Sequence, residues 1–77
     1  MNKLKELRKS KNLTLDELSE VIGIKRGTLN NYENEKTEPK LETWQKFAEY
    51  FEVQVDYLQG ISQYRTIEEL ISSYERE

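Results

Sequence analysis

The stretch Val21-Ile22-Gly23-Ile24-Lys25-Arg26-Gly27-Thr28-Leu29-Asn30-Asn31-Tyr32-Glu33-Asn34 limits what this chain can fold into more than any other. It reads as the end of one helix, a tight turn and a second short helix. Gly23 stops the first, being the residue best able to take a left-handed C-terminal conformation. A connection this short forces a steep crossing of the two helices rather than an antiparallel hairpin. Ile24, Leu29 and Tyr32 plug the inner side, which leaves Lys25, Arg26, Gly27, Asn30 and Asn31 on the free face. Arg forks onto guanine O6 and N7, and Asn makes two hydrogen bonds to adenine, so this face carries side chains that read base edges. For Asn30 and Asn31 the competing reading is plain exposed polar surface. Arg26 is the stronger candidate, because it stands at the helix start, where side chains enter the groove first.

The chain has 77 residues, enough for one small domain near the size at which a single core is only just adequate. It contains no Cys and no His, which removes disulfides, Cys/His zinc sites and His-assisted nucleophiles, and with them most enzyme chemistry. No apolar run approaches the roughly 18 to 20 residues that span a bilayer, and Met1-Asn2-Lys3-Leu4-Lys5 leads into no signal-peptide core. A soluble cytoplasmic protein without a cofactor is the expectation. The net charge of −3 opposes nucleic-acid binding, but it is unevenly spread. Residues 1–40 hold nine basic and seven acidic side chains, a net of +2; residues 41–77 hold three and eight, a net of −5. A phosphate-facing surface therefore belongs to the first half.

In chain order, a first helix is expected over about 2–10, with Leu4 and Leu7 on one face and Lys3, Lys5, Lys9 and Lys11 around them. Those lysines are either a solvated face or phosphate contacts. Asn12-Leu13-Thr14 breaks that helix. Thr14 N-caps the second, Glu17 completes a capping box, Asp16 adds charge suited to a helix N-terminus, and Leu18 and Ile22 form the inner stripe. A third helix covers about 25–34. After the loop 35–40, Leu41, Trp44, Phe47, Ala48 and Phe51 recur at three- and four-residue steps, the stripe of a fourth helix over 41–51. A short fifth helix opens at 53 or 54 and runs to 59 with Val55 and Leu58 turned inward, and Gly60 ends it. Thr66 with Glu69 is a second capping box, followed by Ile67, Leu70, Ile71 and Tyr74 at i, i+3, i+4 and i+7. This predicts a sixth amphipathic helix over about 67–76. It is too short to stand alone, so its stripe packs on its own domain, on the same helix of a second subunit, or on a longer protein that begins here.

The combined marks Leu13-Thr14, Glu17-Leu18, Ile22-Gly23, Thr28-Leu29, Tyr32-Glu33-Asn34, Lys36, Pro39, Leu41-Glu42-Thr43 and Val53 through Val55-Asp56-Tyr57-Leu58, with Arg8 upstream, resemble the phage lambda-type repressor and Cro family of helix-turn-helix regulators, also called the xenobiotic-response-element (XRE) family. The resemblance implies five helices, a homodimer on a two-fold operator and the third helix in the major groove. It makes Arg26, Gly27 and Asn31 the base-facing positions, with Lys25, Thr28 and Asn30 beside them, and puts Asn34 and Lys36 where the family touches phosphate. Arg8 and Glu33 match an ion pair between helices one and three. Helix five and its flanking loops correspond to the dimer contact, with Val55, Tyr57 and Leu58 as candidates, joined by Ile67, Leu70, Ile71 and Tyr74.

Four departures from the family pattern stand out. Leu15 replaces a phosphate-contacting Gln, leaving only backbone N–H groups there. Lys25 replaces a Ser or Thr N-cap, which loses roughly 1 kcal/mol of capping and adds charge toward DNA. Gly27 has no side chain to read with and costs about 1 kcal/mol in a helix interior, but allows close backbone approach. Glu35 and Glu52 stand where Gly is common, so either the backbone is strained there or the turn differs.

Together these features imply an all-α chain: a five-helix lambda-repressor-like domain over 1–61 and a C-terminal amphipathic helix within 62–77. The expected function is non-enzymatic, a repressor that binds a pseudo-palindromic operator in double-stranded DNA as a homodimer, with half-sites roughly 34 Å apart. The alternative is an antitoxin-like or protein-interaction module of the same fold that holds a partner protein through its acidic second half.

Overall fold

A computed structural model describes residues 1–75, and the described residues form six helices: α1 (Leu4–Ser10), α2 (Leu15–Ile22), α3 (Arg26–Glu33), α4 (Leu41–Phe51), α5 (Val55–Leu58) and α6 (Ile67–Glu75). Arg76, the expected end of the sixth helix, lies outside the described residues. α1 begins two residues later than its periodicity suggested, because Asn2 is used as a bracket: its side-chain oxygen accepts from Leu4 N at 3.1 Å and its amide donates to the Tyr32 carbonyl at 2.9 Å. α2 starts with the full capping box, Thr14 Oγ1 accepting from Glu17 N and the Glu17 carboxylate from Thr14 N. The bond from the Thr14 backbone, then the Thr14 side chain, holds the Glu17 carboxyl below its ordinary pKa range. Gly23 closes α2 at φ 75°, in the left-handed region, with its N–H on the Ser19 carbonyl. The Ser19 hydroxyl donates to the Ile24 carbonyl and secures the turn into α3.

The core forms where these faces converge. Phe47 of α4 is fully buried at its centre, with Leu4, Leu18, Leu29 and Leu58 around it. Tyr32 and Trp44 meet the Phe47 ring edge-on, at 6.3 and 6.5 Å between centroids. Trp44 is therefore a core residue. Leu41 is not: standing in the first turn of α4 it is 62% exposed, since the body it would cover begins one turn further along. Glu35 and Glu52 both take the left-handed backbone, at φ 59° and 57°, as does Asn12 at 58°; the turns are kept and the strain is accepted. Glu35 has a compensating bond, its carboxylate accepting from Asn2 N at 2.8 Å.

One buried ion pair joins α1 to α3. Arg8 Nε lies 2.7 Å from Glu33 Oε2 and Nη2 3.1 Å from Oε1, a two-pronged contact, while Nη1 donates to the Leu13 carbonyl at 2.7 Å. The Glu33 side chain is 3% exposed. Its negative charge sits at the last residue of α3, the wrong end for the helix dipole, so Arg8 offsets both that and the burial.

α6 is joined to this body by polar contacts. Gln54 N–H donates to the Arg65 carbonyl at 2.7 Å, Arg65 Nε to the Tyr57 hydroxyl at 3.2 Å, and Tyr64 OH lies 2.7 Å from Ser73 Oγ. Thr66 Oγ1 accepts from Glu69 N as a cap, but the Glu69 carboxylate reaches back to Arg65 N rather than to Thr66, one residue earlier than a closed capping box. No residue of α6 is buried: Ile67, Leu70, Ile71 and Tyr74 are 57, 36, 49 and 72% exposed.

Removing the acidic partner of the buried pair leaves Arg8 enclosed without its counter-charge. Glu33→Ala is expected to lose about 3 to 5 kcal/mol of stability, read as a lower urea midpoint; a shift below about 1 kcal/mol, the value of a surface pair, would show that burial of Glu33 is not the controlling fact.

Candidate nucleic-acid interface

α3 is eight residues long and Leu29 is its one fully buried residue; Tyr32, half-buried, and the buried side chain of Glu33 complete its inner face. The outer face carries Arg26, Gly27 and Asn30, all exposed, and Asn31, half-buried. Lys25 occupies the N-cap position with no side-chain cap bond, so its ammonium is left for solvent or an anion. Thr28 is half-buried beside it, and Lys36 is exposed beyond the C-terminus, its N–H donating to the Asn31 carbonyl at 2.9 Å. Lys25, Arg26, Asn30 and Asn31, four cationic or amide side chains, thus share one surface with the helix N-terminus at one edge, and Lys36 follows beyond the other end.

The four are not equally free. The Asn34 amide donates to the Asn30 carbonyl at 2.9 Å and to Asn30 Oδ1 at 3.0 Å. Asn30 therefore has one of the two acceptor positions of its Oδ1 occupied, which fixes the orientation of its amide and leaves its NH2 and the second lone pair for another partner. Asn34, expected at phosphate, has its donors turned back onto α3 and serves as the end of that helix. Asn31 forms no side-chain bond among the described residues and is the better placed amide for base contact. Arg26 has a partner that sequence reasoning missed: its Nε lies 3.1 Å from Asp16 Oδ1, the two side chains 65 and 78% exposed. Asp16 had been explained by the α2 dipole alone, and no spacing rule connects residues ten apart on two crossing helices. Leu15, beside it, is half-buried against the core rather than facing outward.

The residues expected at a subunit contact divide. Leu58 is 0% and Tyr57 7% exposed, so Leu58 has no surface to give a second subunit and Tyr57 offers little beyond the hydroxyl that Arg65 already holds. Within this subunit both side chains belong to the core cluster, Leu58 turned inward as its spacing implies. Val55 is half-buried against the core, and the α6 stripe is exposed.

Among the described residues no group of His, Cys, Asp and Glu is placed to hold a metal ion, and no helix is long and apolar enough to cross a membrane. A family model described as "Helix-turn-helix" matches residues 4–58. Over 60 residues the chain is 37% identical to "Uncharacterized HTH-type transcriptional regulator YobD" of Bacillus subtilis (strain 168), an alignment covering 78% of this chain and 54% of that protein. The chain spans about half the length of the curated relative it matches.

Gly27 gives a direct check on the open face. A Cβ built there meets nothing within 4 Å. Gly27→Ala is expected to raise the stability of the free protein by about 0.5 to 1 kcal/mol through helix propensity, seen as a higher thermal midpoint; a loss of stability would mean that the face is covered.

Proposed function

This chain belongs to the XRE family of helix-turn-helix DNA-binding regulators, and on that premise we propose that it is a repressor that occupies a pseudo-palindromic operator as a homodimer, with α3 in the major groove. The observation that carries this reading is the division of α3: Leu29 and Glu33 hold one side in the body, while Arg26, Gly27 and Asn31 stand together on the other. Arg26 takes guanine as a fork, Asn31 pairs with adenine, and Gly27 lets the backbone come close to the groove floor. Asn30 joins them with its NH2 and the second lone pair of its Oδ1, its amide held in place by Asn34. Lys25, Thr28 and Lys36 meet phosphates along the rim, where sequence-independent affinity arises. The acidic second half faces away from the duplex.

Dimerisation is assigned to the stripe of Ile67, Leu70, Ile71 and Tyr74, continued toward Val55. Four apolar side chains on one helix, none buried by the subunit that carries them, are covered by the same stripe of a two-fold mate. The flanking Glu68, Glu69 and Glu75 favour a second reading, a partner protein with a basic apolar groove, as an antitoxin-like module would bind. Wild-type protein that stays monomeric at micromolar concentration would favour that reading. In sedimentation, Ile71→Glu is expected to shift a dimer to the monomer mass with unchanged helicity; a dimer that persists would remove α6 from the interface.

Selection of bound sites from a random duplex pool tests DNA reading directly. Wild type is expected to yield a two-fold motif, and Arg26→Ala to relax one base position in each half-site, at a loss of roughly 1 to 3 kcal/mol for the preferred base. Equal weakening on all sequences would make Arg26 a phosphate contact, and enrichment of no motif would overturn sequence-specific recognition.

A further inference from the structure

We propose that Asp16 is a specificity-determining residue that acts through Arg26: its carboxylate, an ion-pair partner beside Nε, draws the guanidinium to that side and leaves the two Nη groups to fork onto a guanine. The proposal rests on the reading of α3 as the base-contacting helix. Asp16 stands in the first turn of α2 and Arg26 is the first residue of α3, so each is fixed by the start of its own helix, and the crossing of the two helices brings Oδ1 to 3.1 Å from Nε. A guanidinium presents two donor edges, and a carboxylate beside Nε leaves the Nη1–Nη2 edge free for two parallel bonds to O6 and N7.

Stability does not account for this pair. Both side chains are largely exposed, and an ion pair in that setting contributes little to folding. An acidic side chain on a surface that meets phosphates also opposes binding to any duplex, because it repels the backbone wherever the protein lands. The arrangement is useful where discrimination matters. On a site with guanine beneath Arg26, the guanidinium arrives with its long side chain already aimed, and exclusion of water strengthens its contact with Asp16. On other sequences the same carboxylate only repels. Asp16 thus lowers affinity everywhere and restores it at guanine, widening the gap between right and wrong sites.

The test measures binding of wild type, Asp16→Ala, Asp16→Asn, Arg26→Ala and the Asp16→Ala/Arg26→Ala double variant to the selected operator and to duplexes with the relaxed base pair substituted. Wild type is expected to prefer the original base by about 5- to 150-fold. Asp16→Ala should bind unrelated duplex as tightly as wild type or more tightly, yet lose most of that preference at the base pair relaxed by Arg26→Ala and at no other. The double variant should add nothing to Arg26→Ala there. Asp16→Asn keeps an accepting oxygen and should retain more of the preference than Asp16→Ala. If Asp16→Ala tightens every duplex alike with the preference intact, Asp16 is only a repulsive charge and the proposal is overturned. If Arg26→Ala itself relaxes no position, the reading of α3 fails and the proposal falls with it, a result distinct from the first.

Discussion

The contact between Arg8 and Glu33 governs how the rest of the molecule is arranged. The core of eleven buried apolar side chains draws unevenly on the helices. Among α1 to α5, α3 is the least buried, with one leucine as its only fully buried residue. Arg8 supplies what packing does not: three donors that reach the last residue of α3 and the carbonyl of Leu13 between α1 and α2. The three helices nearest the candidate interface therefore share one buried cation. Geometry of this kind is directional in a way that apolar contact is not, so the pair sets the angle of α3 and not merely its presence in the fold.

Around that anchor, the two ends of α3 differ. Its C-terminal end is tied by Glu33, by the Asn34 amide and by the Tyr32 carbonyl that Asn2 holds. Its N-terminal end has no side-chain cap; the turn before it is held by the Ser19 hydroxyl on the Ile24 carbonyl, and Arg26 is held only by the exposed pair with Asp16. The end that would meet a base first is the end with most freedom to adjust.

Much of this was legible from the residues. Leu18, Ile22, Trp44, Phe47 and Phe51 announce their helices by periodicity, and Thr14 with Glu17 announces the start of α2. The ion pair and the outer face of α3 were expected from resemblance to a family, in residues that match one by one. Errors arose where a side chain's surroundings depend on how far the body extends. Leu41 follows the stripe but projects past the core, whereas Leu58, turned inward by its spacing, is fully buried. At the site, the residue types and their common face could be read, while their engagements could not. The bond between Asn30 and Asn34 had a signal, the i, i+4 spacing of two amides on one helix face. The pairing of Asp16 with Arg26 had none, because it depends on a helix crossing that no local pattern encodes.

The single buried residue of α3 also bears on how such a chain can change. Leu29, Tyr32 and Glu33 satisfy the demands of folding, while Arg26, Gly27 and Asn30 are exposed and Asn31 is half-buried outside the apolar core. Mutations in the second set leave the first untouched, so the outer face can drift through many combinations while the scaffold stays above its stability threshold. Such a helix lets a lineage acquire new targets without first inventing a new protein.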